Sequence, residues 1–192
     1  MTRQQVEDYL IQINTPKLVA KALAEITTFK HVRPQQKLSR VGELVQESYL
    51  VLKGGFVLQY VHPDTGAEKT VNFHLNNCHA CMTIFESFLN QKPSRFQLKS
   101  FTNSDVMVFP LKEVNVLKTK NLQFKEFFDW GIQMDLLNEI NMKTMLITQT
   151  TQELYQYLLK EKPQIIQQVP AKYIAEFMGI SREWLSRIKR KK

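Results

Sequence analysis

Only two cysteines, Cys78 and Cys81, occur in 192 residues, too few for the disulfide framework that staples small secreted folds. No apolar run approaches the roughly 18 residues needed to span a bilayer, so no membrane partner is expected. The opening MTRQQVEDYLIQIN carries acidic residues and no long apolar stretch, which predicts that no secretory leader begins the chain. These absences make the cytoplasm the expected location. The signatures of common catalytic sites are missing as well. There is no Gly-x-Ser-x-Gly, no phosphate loop, no Gly-x-Gly-x-x-Gly and no His-Glu-x-x-His. Carboxylates are present, but nothing in the sequence marks a pair as poised for acid–base work. The expectation is a protein that is not an enzyme, with no catalytic residues and no cofactor.

What is present is an ordinary globular balance of 43% apolar and 23% charged residues. The length suits one sizeable core, or a sensor domain of about 120 residues with a smaller second domain. The formal net charge is +8, which permits a polyanionic partner. Its placement says more. Residues 151–192 hold nine Lys and Arg (Lys160, Lys162, Lys172, Arg182, Arg187, Lys189, Arg190, Lys191 and Lys192) against four acids (Glu153, Glu161, Glu176 and Glu183), a net of +5. The charge is densest at the end, the footprint expected of a nucleic-acid-binding segment. On charge alone, a solvated basic tail is the alternative.

The first 30 residues read as helices. Val6, Leu10 and Ile13 recur at helical spacing, Pro16 interrupts, and Leu18, Val19, Ala22, Leu23 and Ile26 follow. From Lys37 to Leu117 short strand-like runs alternate with turns, among them ESYLVLKGGFVLQYVH, EKTVNFHL, RFQLKSF and DVMVFPL. Gly54-Gly55 predicts a tight bend or bulge, and His62-Pro63-Asp64-Thr65-Gly66 a turn with φ > 0 at Gly66. Such strands predict a small antiparallel barrel or sandwich.

From Lys118 to Thr148 the pattern is helical and long. Trp130, Met134 and Leu137, with Asn141 next, form one seam; Leu136, Ile140 and Ile147 form a second apolar face. One face is expected to pack on the β domain while the other meets a twin chain as a short coiled coil. A core helix inside a monomer is the alternative. Phe124, Phe127 and Phe128 read as core or dimer packing. Gly131 weakens this helix by up to about 1 kcal/mol and leaves its start open. TTQELYQYLLKEK is a further amphipathic helix, ended by Pro163.

The closing PAKYIAEFMGISREWLSRIKRKK carries the most specific pattern. A helix from Ala171 to Met178 follows Pro170, and Gly179 stops it in the left-handed conformation that glycine adopts without a Cβ penalty. Ser181 is placed to cap a second helix from Arg182 to about Arg190. This is a helix-turn-helix pattern. Ala175 is small where the helices cross, and Ile174, Met178, Ile180, Leu185 and Ile188 pin them together. The second helix then turns Arg182, Glu183, Ser186, Arg187 and Arg190 outward. Arg pairs with guanine O6 and N7, and Glu accepts from cytosine N4. Lys189, Arg190, Lys191 and Lys192 would add salt-dependent attraction to the phosphate backbone. A purely structural helical hairpin is the alternative.

The stretch GISREWLSRIKRK resembles the recognition helix of the Crp/Fnr family of bacterial transcription regulators (the catabolite activator protein and its relatives), which commonly reads Ser-Arg-Glu-x-x-x-Arg. Ser181, Arg182, Glu183 and Arg187 match. The resemblance implies that the three charged residues contact a GTGA-like half-site, and Ser186 matches a position used by the oxygen-sensing branch. It also implies an α+β fold: an N-terminal antiparallel β-roll of the cyclic-nucleotide-binding type with flanking helices, a long dimerisation helix, and a C-terminal helix-turn-helix. Gly42-Glu43, Lys53-Gly54 and Asp64-x-Gly66-x-Glu68 resemble the turns of that β-roll. The expected division is residues 1–117 for the β-roll, 118–149 for dimerisation and 150–192 for DNA. The partners implied are double-stranded DNA, a second copy of the chain, RNA polymerase and a small effector of unknown identity.

The sequence departs from the family where cyclic nucleotides are held. In CHACMTIFESFLNQKPSRFQLKS there is no glycine, so close backbone approach to a phosphate is disfavoured. Thr83 stands at the family's glutamate position, with Glu86 the substitute under another alignment. Ser94 stands where Arg is expected, and Arg95 comes one position late, which in a strand turns a side chain to the opposite face. Cyclic AMP is therefore not expected. Another effector would meet Thr83, Glu86, Ser87, Ser94 and Arg95; the alternative is no ligand at all. The chain also ends soon after the recognition helix, so no β-wing is expected to follow it.

His74-x-x-x-Cys78-His79-Ala80-Cys81 invites a metal or redox reading, since two thiolates and two imidazoles can build a tetrahedral zinc site. Met82, not His, follows the second cysteine, so the haem-attachment form is absent, and there is no second Cys-x-x-Cys. Two ordinary thiols in a loop, with no metal, is the expectation.

Overall fold

The computed structural model describes residues 1–190; Lys191, assigned above to phosphate contacts, and Lys192 lie outside the described residues. Two short helices open the chain, α1 (Arg3–Gln12) and α2 (Lys17–Ile26). Thr2 and Gln5 close a reciprocal capping box at the start of α1, which satisfies two of its orphan N–H groups. Pro16 stands immediately before α2.

Eight strands follow: β1 (Thr28–Val32), β2 (Lys37–Ser39), β3 (Glu47–Lys53), β4 (Gly55–Val61), β5 (Glu68–Leu75), β6 (Cys81–Met82), β7 (Phe96–Ser100) and β8 (Ser104–Pro110), with the short helix α3 (Phe85–Asn90) between β6 and β7. They form two antiparallel four-stranded sheets, ordered β1-β8-β3-β6 and β2-β7-β4-β5. Strand structure begins at Thr28, ahead of the expected Lys37, because β1 pairs along the edge of β8. At the other end, α4 (Leu111–Lys120) begins inside the stretch expected to be strands.

Gly54-Gly55 is the corner between the sheets, since β3 belongs to one and β4 to the other. Gly54 has φ +81°, and a Cβ there would collide with Ser104 and the Asn103 carbonyl; one at Gly55 would collide with Phe101 and Leu75. Only glycine permits this backbone approach. Gly66 takes φ +67° in the turn joining β4 to β5, as the turn chemistry predicts.

Period-two alternation divides each strand between two environments. Tyr49, Val51, Phe56, Leu98, Val106 and Val108 face one another inside the roll. On the far side of the first sheet, Leu50, Met107 and Phe109 receive α1, α2 and the start of α5 (Leu122–Thr148). On the far side of the second sheet, Val57, Phe73 and Leu75 share a core with α6 (Thr151–Glu161), α7 (Pro163–Gln168), α8 (Ala171–Met178) and α9 (Arg182–Arg190).

Helix α5 runs through Gly131 without a break, and its start is set at Asn121, whose side chain accepts from the Phe124 N–H at 3.0 Å. Phe124 is buried and Phe127 and Phe128 pack beside it. The face turned to the protein is Phe124, Phe128, Gly131, Asp135, Met142 and Met145. Neither expected seam is that face. Leu136, Ile140 and Ile147 are 59%, 50% and 72% exposed, and Trp130, Met134 and Leu137 remain partly open as well. The helix therefore has a docked face and a broad, unpaired apolar one. No described helix is long and apolar enough to cross a membrane.

Candidate nucleic-acid interface

Helix α8 ends in a Schellman arrangement. The Gly179 N–H donates to the Glu176 carbonyl at 3.2 Å and the Ile180 N–H to the Ala175 carbonyl at 3.0 Å. Gly179 has φ +67° and open space where a Cβ would stand, so glycine is selected here by conformation and not by crowding. The chain then reverses, and Ser181 Oγ accepts from the Trp184 N–H at 3.1 Å, capping α9.

Ile174, Ala175, Met178, Leu185 and Ile188 are buried, with Ile180 packed against them. With Leu185 and Ile188 turned inward, helical geometry places Arg182, Glu183, Ser186, Arg187 and Arg190 on the opposite face. All five are exposed and together line one shallow, open depression. Lys189 lies on one flank of that face. Trp184, 47% exposed, lies on the other; its large apolar surface was not singled out by sequence because a lone aromatic carries no signal without the helix around it. The Glu183 carboxyl is held below its usual range by its own backbone N–H and by the Ser181 hydroxyl, with Arg182 and Arg187 adding to the effect. It stays ionised as an acceptor at neutral pH. The surface thus combines three guanidinium groups and one fixed acceptor on a helix anchored from behind.

The anchor is the β-roll itself. Phe73 and Phe177 pack with their ring centres 5.0 Å apart and their planes tilted by 60°, and Tyr173 and Ile174 are fully enclosed. Glu176 reaches into the sheet, accepting from Thr70 Oγ1 at 2.7 Å and from Gln59 Nε2 at 3.1 Å. Gln59 in turn accepts from Gln97, which also donates to Glu68, and Glu68 pairs with Lys99 at 2.6 Å. Of this buried row of polar groups under α8, Gln59 and Thr70 bond Glu176 directly, while Gln97 and Lys99 are satisfied within the sheet.

The five residues expected to meet an effector do not converge on one site. Glu86 and Arg95 pair with each other at 2.9 Å, with Arg95 exposed, and Glu86 Oε2 has no partner. Ser87 Oγ accepts from the Val45 N–H at 3.0 Å, and Ser94 Oγ bonds the backbone of Phe96 in both directions at 2.9 Å. Thr83 lines a cavity that the other four do not, and its hydroxyl donates to the Glu47 carbonyl at 3.2 Å. Ile84, Phe88 and Phe96 fill the neighbouring space with apolar side chains. An anionic phosphate would meet a guanidinium already neutralised and a carboxylate beside it.

Nor do the His and Cys residues form a ligand set. Among the described residues no group of three or more His, Cys, Asp and Glu is placed to hold a metal. The Nδ1–H of His74 donates to the His79 carbonyl at 3.0 Å, while His79 Nε2 pairs with Asp135 on α5. Burial pushes the Cys78 thiol up. This is the opposite of the lowered pKa of a redox-active thiol.

No protein-family model and no curated protein matches the sequence. Solved structures do match the architecture. FixK2 from Bradyrhizobium japonicum superposes with a TM-score of 0.70 at 14% identity, over 85% of this chain and 83% of that one. The global regulator CLP of Xanthomonas campestris, described as responsive to c-di-GMP, gives 0.67 at 15% identity over 92% and 91%. The catabolite activator protein of Thermus thermophilus gives 0.56 at 17% identity over 91% and 82%. The fold is Crp/Fnr-like. In this Crp/Fnr-like frame the α8–α9 pair stands where the resemblance of Ser181, Arg182, Glu183 and Arg187 implied a helix-turn-helix.

Proposed function

We propose that the chain is a homodimeric, sequence-specific DNA-binding transcription regulator. The observation that carries this reading is the exposed face of α9, on which Arg182, Glu183, Ser186, Arg187 and Arg190 stand opposite the buried Leu185 and Ile188. Placed in a major groove, Arg182 and Arg187 offer bidentate pairing to guanine and Glu183 an acceptor for cytosine. Lys189 and Arg190 would hold the phosphates. The unpaired apolar face of α5 supports a second copy as its cover, because Leu136, Ile140 and Ile147 leave a patch that a twin helix would bury. Two-fold symmetry then gives a palindromic site with half-sites about one helical turn apart.

The division of labour follows the chain: residues 1–117 sense, 118–149 dimerise and 150–192 read DNA. An effector other than cyclic AMP would act through the first of these, and RNA polymerase is the further partner of such a regulator.

Selection of duplexes from a random pool at physiological salt tests this. Enrichment of a palindrome with GTGA-like arms is expected. A second reading, a β-roll protein whose basic end only docks on a partner, gives binding that shows no preference among duplexes and vanishes for all of them together as salt rises.

A further inference from the structure

Between the outer face of the first sheet, the N-terminal helices and the docked face of α5 lies a cavity of about 470 Å³. That is within the range of small-molecule pockets, roughly 300–1,000 Å³. Tyr9, Leu50, Phe109, Phe124 and Trp130 line it, and no Lys or Arg does. Its one acid, Asp135, is already paired with His79. The Thr83 hydroxyl that lines it is engaged with the Glu47 carbonyl. A charged ligand would find no counter-ion there, whereas an aromatic one would find ring faces and edges on several sides.

Gly131 makes a second, independent case. It sits inside α5, where glycine is disfavoured relative to alanine. It lines this cavity, and a Cβ on it would meet nothing within 4 Å. Neither crowding nor a left-handed backbone accounts for it, in contrast to Gly54. A side chain omitted where the protein itself leaves room keeps that room for something else.

We propose that this cavity binds an uncharged, predominantly aromatic small molecule, wedged between the β-roll and the inner face of α5. The occupancy stands on the cavity alone; its service as the effector site rests on the DNA-binding reading above.

A matched pair of dyes tests it on the full chain. N-phenyl-1-naphthylamine is uncharged, and 1-anilinonaphthalene-8-sulfonate has the same ring body with a sulfonate. Fluorescence titration is expected to show the uncharged dye saturating at one per chain and the sulfonate binding at least tenfold more weakly. Gly131→Leu, which places a side chain in the cavity and favours the helix, should weaken the uncharged dye at least tenfold. Gly131→Ala, which also favours the helix but leaves most of the space, should retain it. Binding without saturation at one per chain, equal or tighter binding of the sulfonate, or unchanged binding by Gly131→Leu overturns the proposal. So does binding that weakens in step with dimer formation, which would show a second copy filling the space. Affinity for DNA, measured separately with and without the dye, reports only on the effector role; its indifference leaves the site standing.

Discussion

His74 should make the protein acid-sensitive in a window where few other groups titrate. The residue stands one position before the end of β5, is 4% exposed, and leaves Nε2 with no partner. Burial is the main cause that pushes it down to about 3, from 6.5, with the His79 ring 4.9 Å away adding to the effect. A lowered folded pKa means that the contribution of this residue is complete above pH 6.5 and is lost as pH falls toward 3. The unfolded chain takes up the proton first, at a slope approaching 1.4 kcal/mol per pH unit. Between pH 7.5 and pH 5 the loss from this one group is about 2 kcal/mol. His74→Gln removes the titration and keeps a donor for the His79 carbonyl. Urea unfolding of both proteins at the two pH values isolates the effect, because the carboxylates titrate alike in each. The wild type should lose about 2 kcal/mol more than the variant over that interval. Equal losses would refute the assignment of a buried, neutral imidazole.

Other perturbations separate the remaining roles. Arg187→Ala should cost roughly 1–3 kcal/mol and relax preference at one base of the half-site, whereas Lys189→Ala should weaken all duplexes alike and reduce the salt slope by about 1; equal losses for Arg187→Ala on specific and random DNA would sink its base-reading role. Ile140→Asp places a charge on the exposed face of α5 and should convert a dimer to a monomer by light scattering, so an unchanged mass would place the dimer contact elsewhere. Leu158→Ala empties the core shared by the β-roll and the helical segment and should cost about 2–5 kcal/mol. It should do so in one unfolding transition, and two separated transitions would show that the core is not shared.

The helix-turn-helix was legible because its determinants are local. Gly179 needs only its own φ, Ser181 caps the helix three residues ahead, and Leu185 and Ile188 set the buried stripe by spacing alone. The corner at Gly54-Gly55 and the turn at Gly66 were legible for the same reason. The hydrogen-bond partners of the expected effector residues were not. Thr83, Glu86, Ser87, Ser94 and Arg95 lie close in sequence, but their hydrogen bonds go to Glu47, Arg95, Val45, Phe96 and Glu86. Two of these partners come from strand β3 and the loop before it, about 40 residues upstream, and no periodicity reports such pairings. The faces of α5 misled for a related reason. Apolar residues surround much of the helix, and spacing cannot say which arc meets the sheet when the docked arc includes a glycine, Gly131, and an acid, Asp135. The cavity beside that arc is formed by segments far apart in the chain, so nothing local announces it.

The α8–α9 unit has one free face and one seated face, and the seat is more informative than its area. Glu176 is a carboxylate held by Thr70 on β5 and Gln59 on β4, so leaving the sheet would strand Gln59, Gln97 and Lys99 from the cover that keeps them dry. Burying such groups is tolerable only while each is bonded. The same strand, β5, also touches the long helix, because Asn72 bonds Glu139 and the turn after Leu75 carries His79 to Asp135. Any shift of α5 relative to the roll must therefore either break those two pairs or draw the end of β5 with it. The strand so drawn is the one on which α8 is seated. On the proposed reading, a molecule in the cavity against α5, or a twin helix on its outer face, would reach α8 by two routes, through β5 and through Met142 and Met145, which pack on the core shared with α8. Mutations on β5, rather than in the segment that resembles the family's cyclic-nucleotide site, are predicted to weaken coupling between cavity occupancy and DNA binding while leaving each intact.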